Sequence, residues 1–286
     1  MTRRAAAGLL GLTMLTASCS HGASSGSLAG LPPATPQPHL ATSPPAVSAG
    51  LAKPGHLTVA ADPTEVPLVY YDHNNRFAGF SIELLGTVAS QMGLLLEVIN
   101  IDGGQIVPGL ADPQHRYDVG VAAQPATPEL AGGALTLQYL VGGQALLARR
   151  DDTRTATLDG LCGRKVGANK GSLGEAAVLR TNEGTCKGNR IAYSAYDDDV
   201  RGVHDVQAAT VDAYVQDYPV ATAFARLYPD IRVVPHHFNH APEVFVFALT
   251  NATLRDAVAK AFDGVRADGQ YRKLLQRWSL GEGAVS

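Results

Sequence analysis

Strand-like and helix-like segments alternate along residues 56–280 of this 286-residue chain, and this alternation restricts its fold more than any other feature. The strand-like segments are residues 57–61, 94–99, 118–122, 165–168 and 211–216. The first helical stripe consists of Leu85, Val88, Ala89 and Met92, which repeat at the spacing of one helix face. The last stripe follows a break at Gly269 and consists of Tyr271, Leu274, Leu275 and Trp278. Such alternation predicts an α/β fold built from βαβ units with a mainly parallel sheet.

The composition excludes two broad classes of protein. Hydrophobic residues make up 45% of the chain and charged residues 17%, so it can bury a core and is not disordered throughout. The formal net charge of −3 gives no electrostatic argument for nucleic-acid binding, which normally needs a basic face. The length is enough for one large domain or for two smaller lobes.

The first 18 residues have the pattern of a secretory signal peptide. Arg3 and Arg4 precede an apolar run at residues 5–18, which is shorter than the roughly 20 residues that span a bilayer. Cys19 follows this run and resembles the lipidated Cys of a bacterial lipobox, although Thr16 stands where Leu is usual. The alternative is an ordinary signal peptide with an incidental Cys. We predict an extracytoplasmic protein anchored to the outer face of the cell membrane through lipidated Cys19.

Residues 19–54 have the composition of a spacer. They are rich in Ser, Ala, Gly and Pro, and Lys53 is their only formally charged residue. Such a segment buries too little apolar surface to offset the entropy lost on ordering. We predict a lipid-anchored linker that holds a folded domain away from the membrane.

The other two cysteines, Cys162 and Cys186, lie 24 positions apart in an exported chain. An oxidising compartment favours a disulfide between them, and a metal site would need more ligands than two cysteines. A bridge that closes a loop of this length stabilises the fold by about 3–4 kcal/mol in the chain-entropy model. We therefore predict a Cys162–Cys186 disulfide.

An ordered set of short motifs resembles the family 3 extracellular solute-binding proteins, the polar amino-acid receptors of ABC importers. The motifs are Leu57-Thr58-Val59-Ala60-Ala61-Asp62-Pro63-Thr64, Gly79-Phe80-Ser81-Ile82-Glu83-Leu84, Thr127-Pro128-Glu129, Leu158-Asp159-Gly160-Leu161, Lys165-Val166-Gly167, Val211-Asp212-Ala213 and Ala267-Asp268-Gly269-Gln270-Tyr271. Each motif is weak alone, but their order and spacing together cover nearly all of residues 56–280.

The resemblance implies a type II periplasmic-binding-protein fold with two α/β lobes, each a mainly parallel sheet flanked by helices, joined by a two-strand hinge. By analogy, lobe 1 comprises residues 55–144 and 245–286, and lobe 2 comprises residues 145–244. The crossing strands are expected at residues 143–149 and 243–249. A small polar solute then binds between the lobes, at the carboxyl ends of the strands.

The resemblance also implies roles for individual residues. Asp217 matches the acidic position that holds a ligand ammonium, although an Asp two residues before Pro219 is also a good helix N-cap. Gln124 and Thr127, at the Thr127-Pro128-Glu129 motif, join it in the expected ligand-binding set. Asp62 and Glu65 would give the site an acidic bias, unless Glu65 points to solvent as most glutamates do.

The carboxylate end of the expected site departs from the family pattern. Leu130 stands where the family has Arg, and no Arg occurs between Tyr117 and Leu147. Pro125 and Leu173 likewise stand where hydroxyl residues are usual. A desolvated carboxylate without such partners costs several kcal/mol, so the usual clamp is absent or rebuilt.

Lys170 and Ser172, at a predicted helix start, could replace this clamp because helix N-termini favour anions. Lys170 could equally be a solvated loop lysine. Together these departures favour a cationic ligand or an unusual amino-acid derivative over free glutamate or aspartate.

The leading interpretation is a monomeric binding lipoprotein that delivers a polar amino acid or amine to an ABC permease. A ligand sensor that signals to a membrane protein without transport is the alternative, since fold does not fix function. A dehydratase-like enzyme is less favoured because no convergent acid–base pair occurs beyond Glu65 and Asp217. We predict no enzymatic activity, no cofactor and no metal site. The cluster of His236, His237 and His240 has no adjoining Cys or carboxylate and is expected to be a solvent-exposed loop.

Overall fold

The computed structural model describes residues 30–32, 50–112, 114, 116–122 and 132–286. The predicted signal peptide, Cys19 and most of the predicted linker lie outside this part of the chain. Within it, no helix combines the length and the apolar character needed to cross a lipid bilayer.

Nine strands form one mixed sheet, and two short strands form a separate hairpin. The strands are β1 (His56–Ala61), β2 (Tyr70–Tyr71), β3 (Phe77–Ala78), β4 (Leu95–Asn100), β5 (Val119–Ala122), β6 (Leu135–Arg149), β7 (Lys165–Asn169), β8 (Ala192–Tyr196), β9 (Ala213–Asp217), β10 (Ile231–Val233) and β11 (Phe238–Phe247). The order in the sheet is β4-β1-β5-β11-β6-β9-β7-β8, and β10 pairs with β6 beside this path. The strand-like segments predicted from the sequence therefore correspond to β1, β4, β5, β7 and β9.

Helices cover the sheet. They are α1 (Phe80–Gln91), α2 (Gly103–Gly109), α3 (Leu173–Glu183), α4 (Asp199–Gln207), α5 (Tyr218–Leu227), α6 (Ala252–Ala267) and α7 (Gln270–Trp278). The predicted apolar stripe of α1 is confirmed, because Leu85, Val88, Ala89 and Met92 are all buried. The predicted break between the last two helices is also confirmed, since Gly269 has φ +78° and a left-handed backbone.

The two ends of the sheet are parallel and its centre is antiparallel. At one end β1 pairs in parallel with β4 and β5, and at the other β7 pairs in parallel with β8 and β9. We use "first lobe" for β1–β5 with α1, α2, α6 and α7, and "second lobe" for β7–β10 with α3, α4 and α5. Mainly parallel lobes linked by two long strands agree with the α/β architecture expected from the sequence.

The long strands β6 and β11 connect the lobes. Residues Leu135 to Gln144 of β6 pair with β11 on one edge, and Gln144 to Ala148 pair with β9 of the second lobe on the other edge. Both strands begin earlier than the crossing segments expected from the sequence, because the pairing between them extends back to Leu135 on β6 and to Phe238 on β11.

Gly143 lies next to Gln144, the residue at which β6 begins to pair with β9, and within the irregularity of the pairing between β6 and β11. Its φ of +132° is a conformation that side chains other than glycine rarely adopt. A Cβ atom at this position would also lie 2.6 Å from the carbonyl oxygen of Phe238 on β11. The close approach of the two connecting strands therefore requires glycine here.

The predicted disulfide between Cys162 and Cys186 is present, with Cα atoms 5.1 Å apart. It joins the end of a short 3₁₀ turn (Asp159–Leu161) to the segment after α3. Cys186 is buried and packs in the core of the second lobe with Leu161, Val178 and Ile191. The bridge therefore closes one edge of this lobe.

A small part of the predicted linker contacts the folded domain. Leu31 and Pro32 are buried, and the Tyr70 hydroxyl donates a hydrogen bond of 3.0 Å to the Pro32 carbonyl oxygen. The Arg226 side chain of α5 donates a hydrogen bond of 3.4 Å to the Gly30 carbonyl oxygen. These three residues therefore contact both lobes instead of extending into solvent, because an apolar Leu-Pro pair gains free energy by leaving water.

Replacement of both Cys162 and Cys186 by Ser is expected to lower the free energy of unfolding by about 3 kcal/mol, because the unfolded chain regains loop entropy. Urea unfolding of the oxidised protein and of the double variant measures this difference. Reduced wild-type protein serves as the control and should match the variant. Equal unfolding midpoints for the oxidised wild type and the variant would contradict the prediction.

Candidate functional site

Acidic residues from both lobes converge where parallel strands end. Asp62 and Glu65 follow β1 of the first lobe, and Asp217 ends β9 of the second lobe, where its Cα pairs with Gln144 of β6. The charges of Glu65 and Asp217 interact, so the two lobes place these side chains near each other. The carboxyl ends of parallel strands are where open α/β sheets bind ligands.

Asp62 holds the loop after β1 in place. One carboxylate oxygen accepts hydrogen bonds from the Thr64 amide and hydroxyl, at 3.1 and 2.8 Å, and the other accepts one of 2.9 Å from the Gly103 amide. Burial opposes the charge of Asp62, but these hydrogen bonds outweigh it and lower its pKa. The observed role of Asp62 is thus to join two loops of the first lobe, and direct ligand contact stays a prediction.

Glu65 is half-buried and does not point freely into solvent. Burial, together with the charges of Asp62 and Asp217, raises the pKa of Glu65 to about 7. A carboxyl group with this pKa is partly protonated at neutral pH and becomes fully charged when a cation approaches.

Asp217 is at the N-cap position of α5, but its side chain makes no capping hydrogen bond. The carboxylate accepts a hydrogen bond from the side chain of Gln144, which is buried, while Asp217 as a whole residue is exposed. Partial burial raises the pKa of Asp217, and the bond from Gln144 only partly offsets this effect. Of the two roles considered for Asp217, the geometry therefore leaves its carboxylate available to a ligand.

Glu243 on β11 is an acidic residue that the sequence analysis missed. Burial raises its pKa to about 8, with added repulsion from Asp217 and Glu65. The only signal in the sequence was a single Glu next to the apolar run that follows it at residues 244–249. Whether this Glu belongs to the site depends on which strands flank β11, and the local sequence pattern does not contain that information.

Glu65, Asp217 and Glu243, which we call the acidic trio, are near enough for their charges to interact. Among the described residues, none of the three forms an ion pair. The segment 123–131, which lies outside the described residues, contains neither Lys nor Arg. The site therefore attracts positive charge.

Asp199, the first residue of α4, is a further acidic residue whose charge interacts with that of Asp217. One oxygen of Asp199 accepts hydrogen bonds of 2.7 Å from both the Tyr214 hydroxyl and the Asn169 amide. Burial raises the pKa of Asp199, and the nearby charge of Asp217 contributes to the rise. Asp199 thus adds to the negative potential around Asp217, and the sequence analysis did not identify it.

Ser172 is the N-cap residue of α3, which agrees with the predicted helix start. Its hydroxyl donates to the Asn169 carbonyl oxygen at 2.6 Å and accepts from the Glu175 amide at 3.1 Å. The Glu175 carboxylate in turn accepts from the Gly171 amide at 2.6 Å, which places a negative charge at this helix N-terminus. An anionic ligand group would have to displace or face that carboxylate, while Lys170 next to it is exposed.

Two predicted ligand residues, Gln124 and Thr127, lie outside the described residues, as do Pro125 and Leu130 of the missing clamp. His237 corrects one expectation, because it is buried rather than in a solvent-exposed loop. Its ring stacks on Tyr218 at a centroid distance of 4.2 Å. In the part of the chain that the structure describes, no group of three or more His, Cys, Asp or Glu could hold a metal ion.

Comparison with known proteins gives consistent results. The family model "Bacterial extracellular solute-binding proteins, family 3" matches residues 57–282. The arginine-binding protein ArgT of Corynebacterium glutamicum is 24% identical over 243 residues, which cover 84% of this chain and 79% of that protein. The ABC transporter arginine-binding protein 1 of Escherichia coli is 21% identical over 212 residues, covering 72% and 83% of the two chains.

Among solved structures, an ancestral cationic amino acid solute binding protein, AncCDT-1, superposes with a TM-score of 0.68 at 24% identity. The match covers 78% of this chain and 95% of that structure. At this identity the likeness supports the fold, and it agrees with the two-lobe architecture described above.

Glu243→Gln is expected to change how stability depends on pH. Because the pKa of Glu243 rises from 4.5 to about 8 on folding, the folded state binds more protons than the unfolded state within that window. Its contribution to stability is then lost as pH rises. The variant should therefore gain stability relative to wild type between about pH 5 and about pH 8.5.

Urea unfolding of both proteins at the two pH values measures this gain. The difference in unfolding free energy between the two proteins cancels the titration of groups that do not interact with Glu243, such as His237. Glu183→Gln, an exposed glutamate at the end of α3, is the matched control and should track wild type. A constant difference between wild type and Glu243→Gln across the pH range would disprove the prediction.

Proposed function

The chain belongs to the bacterial extracellular solute-binding proteins of family 3, and we propose on this basis that it captures a positively charged amino acid or amine for an ABC importer. The family is one of solute-binding proteins, and we propose that this chain also works by binding without catalysis. The observation that carries the ligand class is the acidic trio, which has no cation among the described residues.

Asp217 is the proposed contact for the ligand ammonium. Its side chain does not cap α5, and the Gln144 amide fixes one side of the carboxylate. A positively charged group that binds there gains a charge-assisted hydrogen bond and removes the repulsion between Asp217 and its acidic neighbours. Glu65 reaches the same ligand from the first lobe.

The relatives support the same ligand class. Two of the matched proteins carry names that describe arginine binding, and the matched ancestral structure is described as a cationic amino acid binder. We infer the ligand of this chain from its own carboxylates and use these names as support. The missing Arg near Leu130 fits this inference, because the site is built around positive rather than negative ligand charge.

We further propose that the lobes divide after residues 144 and 244, so that residues 55–144 with 245–286 form lobe 1 and residues 145–244 form lobe 2. The start of the pairing between β6 and β9 at Gln144 supports the first boundary. The protein is proposed to act as a monomer, held by lipidated Cys19 at the outer face of the cell membrane, next to its permease.

A thermal-shift screen tests the ligand class, because a ligand that binds only the folded state raises the melting temperature. L-arginine, L-lysine, agmatine or putrescine should raise it, whereas L-glutamate should not. A large shift with L-glutamate and none with the cations would overturn the proposal.

Asp217→Asn is expected to weaken binding of the cation found in that screen by about 100-fold, because an uncharged amide cannot pair with the ammonium. Isothermal titration calorimetry measures the dissociation constants. Glu183→Gln, which changes the same kind of charge away from the strand ends, should bind as wild type does. An unchanged dissociation constant for Asp217→Asn would rule out its role.

Cys19→Ser is expected to release the protein from the membrane, since a thioether-linked lipid can form only on the Cys. Fractionation of cells into membrane and soluble parts, together with labelling by radioactive palmitate, measures this change. Cys162→Ser serves as the control because it leaves Cys19 in place. Labelled, membrane-bound Cys19→Ser protein would refute the proposed anchor.

A further inference from the structure

We propose that Glu243 determines specificity by binding a second positively charged group of the ligand, at the opposite end from the ammonium held by Asp217. This inference rests on the proposed function and extends it. It assigns a ligand contact to a strand that connects the lobes, and it makes the preferred ligand a molecule with two separated positive charges.

The backbone around Glu243 leaves room for a carboxylate. Glu243 pairs with Leu140 on β6, and its Oε1 atom lies only 2.5 Å from the point that a Cβ would occupy at Gly142. A larger residue at position 142 would push the carboxylate away. Gly142 therefore lets the Glu243 side chain lie across β6, in the direction of β9, the strand that carries Asp217.

Glu243 and Asp217 are separated both across the sheet and along β6. They lie on β11 and β9, the two strands that flank β6, and these two strands are about 10 Å apart across the sheet. Along β6 their partners are Leu140 and Gln144, four residues apart. An elongated ligand can contact both carboxylates, and it would lie along β6 between the lobes.

The groups that face Glu243 are acidic or neutral. The charges of Asp217 and Glu65 oppose its ionisation, and the buried Tyr139 hydroxyl interacts with it from β6. That hydroxyl accepts a hydrogen bond of 2.9 Å from Ser81. Within the described ranges no Lys or Arg forms an ion pair with Glu243. A ligand cation would supply the missing positive charge.

The protonation of Glu243 links this role to a measurable proton. Burial holds the pKa of Glu243 at about 8 without ligand, so the group is mostly protonated at neutral pH. A cation favours the carboxylate and lowers that pKa, so binding releases a proton. A residue that only supports the strand would release none.

The test compares L-arginine with L-citrulline, which share the backbone ammonium and carboxylate but differ in the charge of the distal group. Wild type should bind arginine at least about 30-fold more tightly than citrulline, as expected when a paired charge is lost. In Glu243→Gln this ratio should fall at least about tenfold, through weaker arginine binding, while the citrulline affinity stays close to wild type.

The controls separate the possible outcomes. Asp217→Asn should weaken both ligands equally, and Glu183→Gln should keep the wild-type ratio. A wild type that binds no cation overturns the proposed function together with this inference. A wild type that binds arginine and citrulline equally, or a Glu243→Gln variant that keeps the wild-type ratio, overturns only this inference.

Calorimetry near pH 7 in buffers with different ionisation enthalpies gives the second readout. Arginine binding to wild type should release protons, and Glu243→Gln should release fewer. An unchanged citrulline affinity shows that the binding site of the variant is intact. If the variant does not fold, proton release on arginine binding to wild type alone decides. Arginine binding to wild type without proton release, or equal release by a folded variant, would overturn the role of Glu243.

Discussion

The long strand β6, which lies between β11 and β9, is the constraint on which the rest of the structure depends. From Leu135 to Gln144 the strand pairs with β11 on one edge, and from Gln144 to Ala148 it pairs with β9 of the second lobe on the other. Gly143 makes this possible because its left-handed backbone brings β11 so close that a side chain would meet the Phe238 carbonyl. The pairing of β6 with β9 aligns Gln144 with Asp217, so the connection between the lobes and the position of the acidic site have one structural cause.

The elements that could be predicted are those determined by local sequence. The stripe on α1 and the break at Gly269 follow from residue spacing and glycine conformation, which neighbouring residues decide. The start of α3 at Ser172 was also predictable, because a cap uses only the adjacent turn. The disulfide followed from the cysteine count and the compartment, and packing in the second lobe only had to bring the two ends together.

The features that could not be predicted depend on residues distant in the sequence. Glu243 belongs to the site because β11 lies beside β6, and the pairing of Glu243 with Leu140 bridges about a hundred residues of chain. Gln144 supports Asp217 for the same reason. The contacts of Leu31 and Pro32 with the folded domain require a surface formed by Tyr70 and α5. Composition alone therefore assigned residues 30–32 to a free linker.

The origin of the three carboxylates suggests how binding and lobe movement are connected. Glu65 comes from the first lobe, Asp217 from the second lobe, and Glu243 from a connecting strand. Without a cation, burial and the neighbouring charges oppose the ionisation of Glu65 and Glu243, and a cation between the groups reverses the sign of that charge interaction. A ligand can shift a conformational equilibrium only through different affinities for the two states. In the proposed mode of binding, a ligand that contacts carboxylates from both lobes provides that difference, because those contacts require the lobes to be close together.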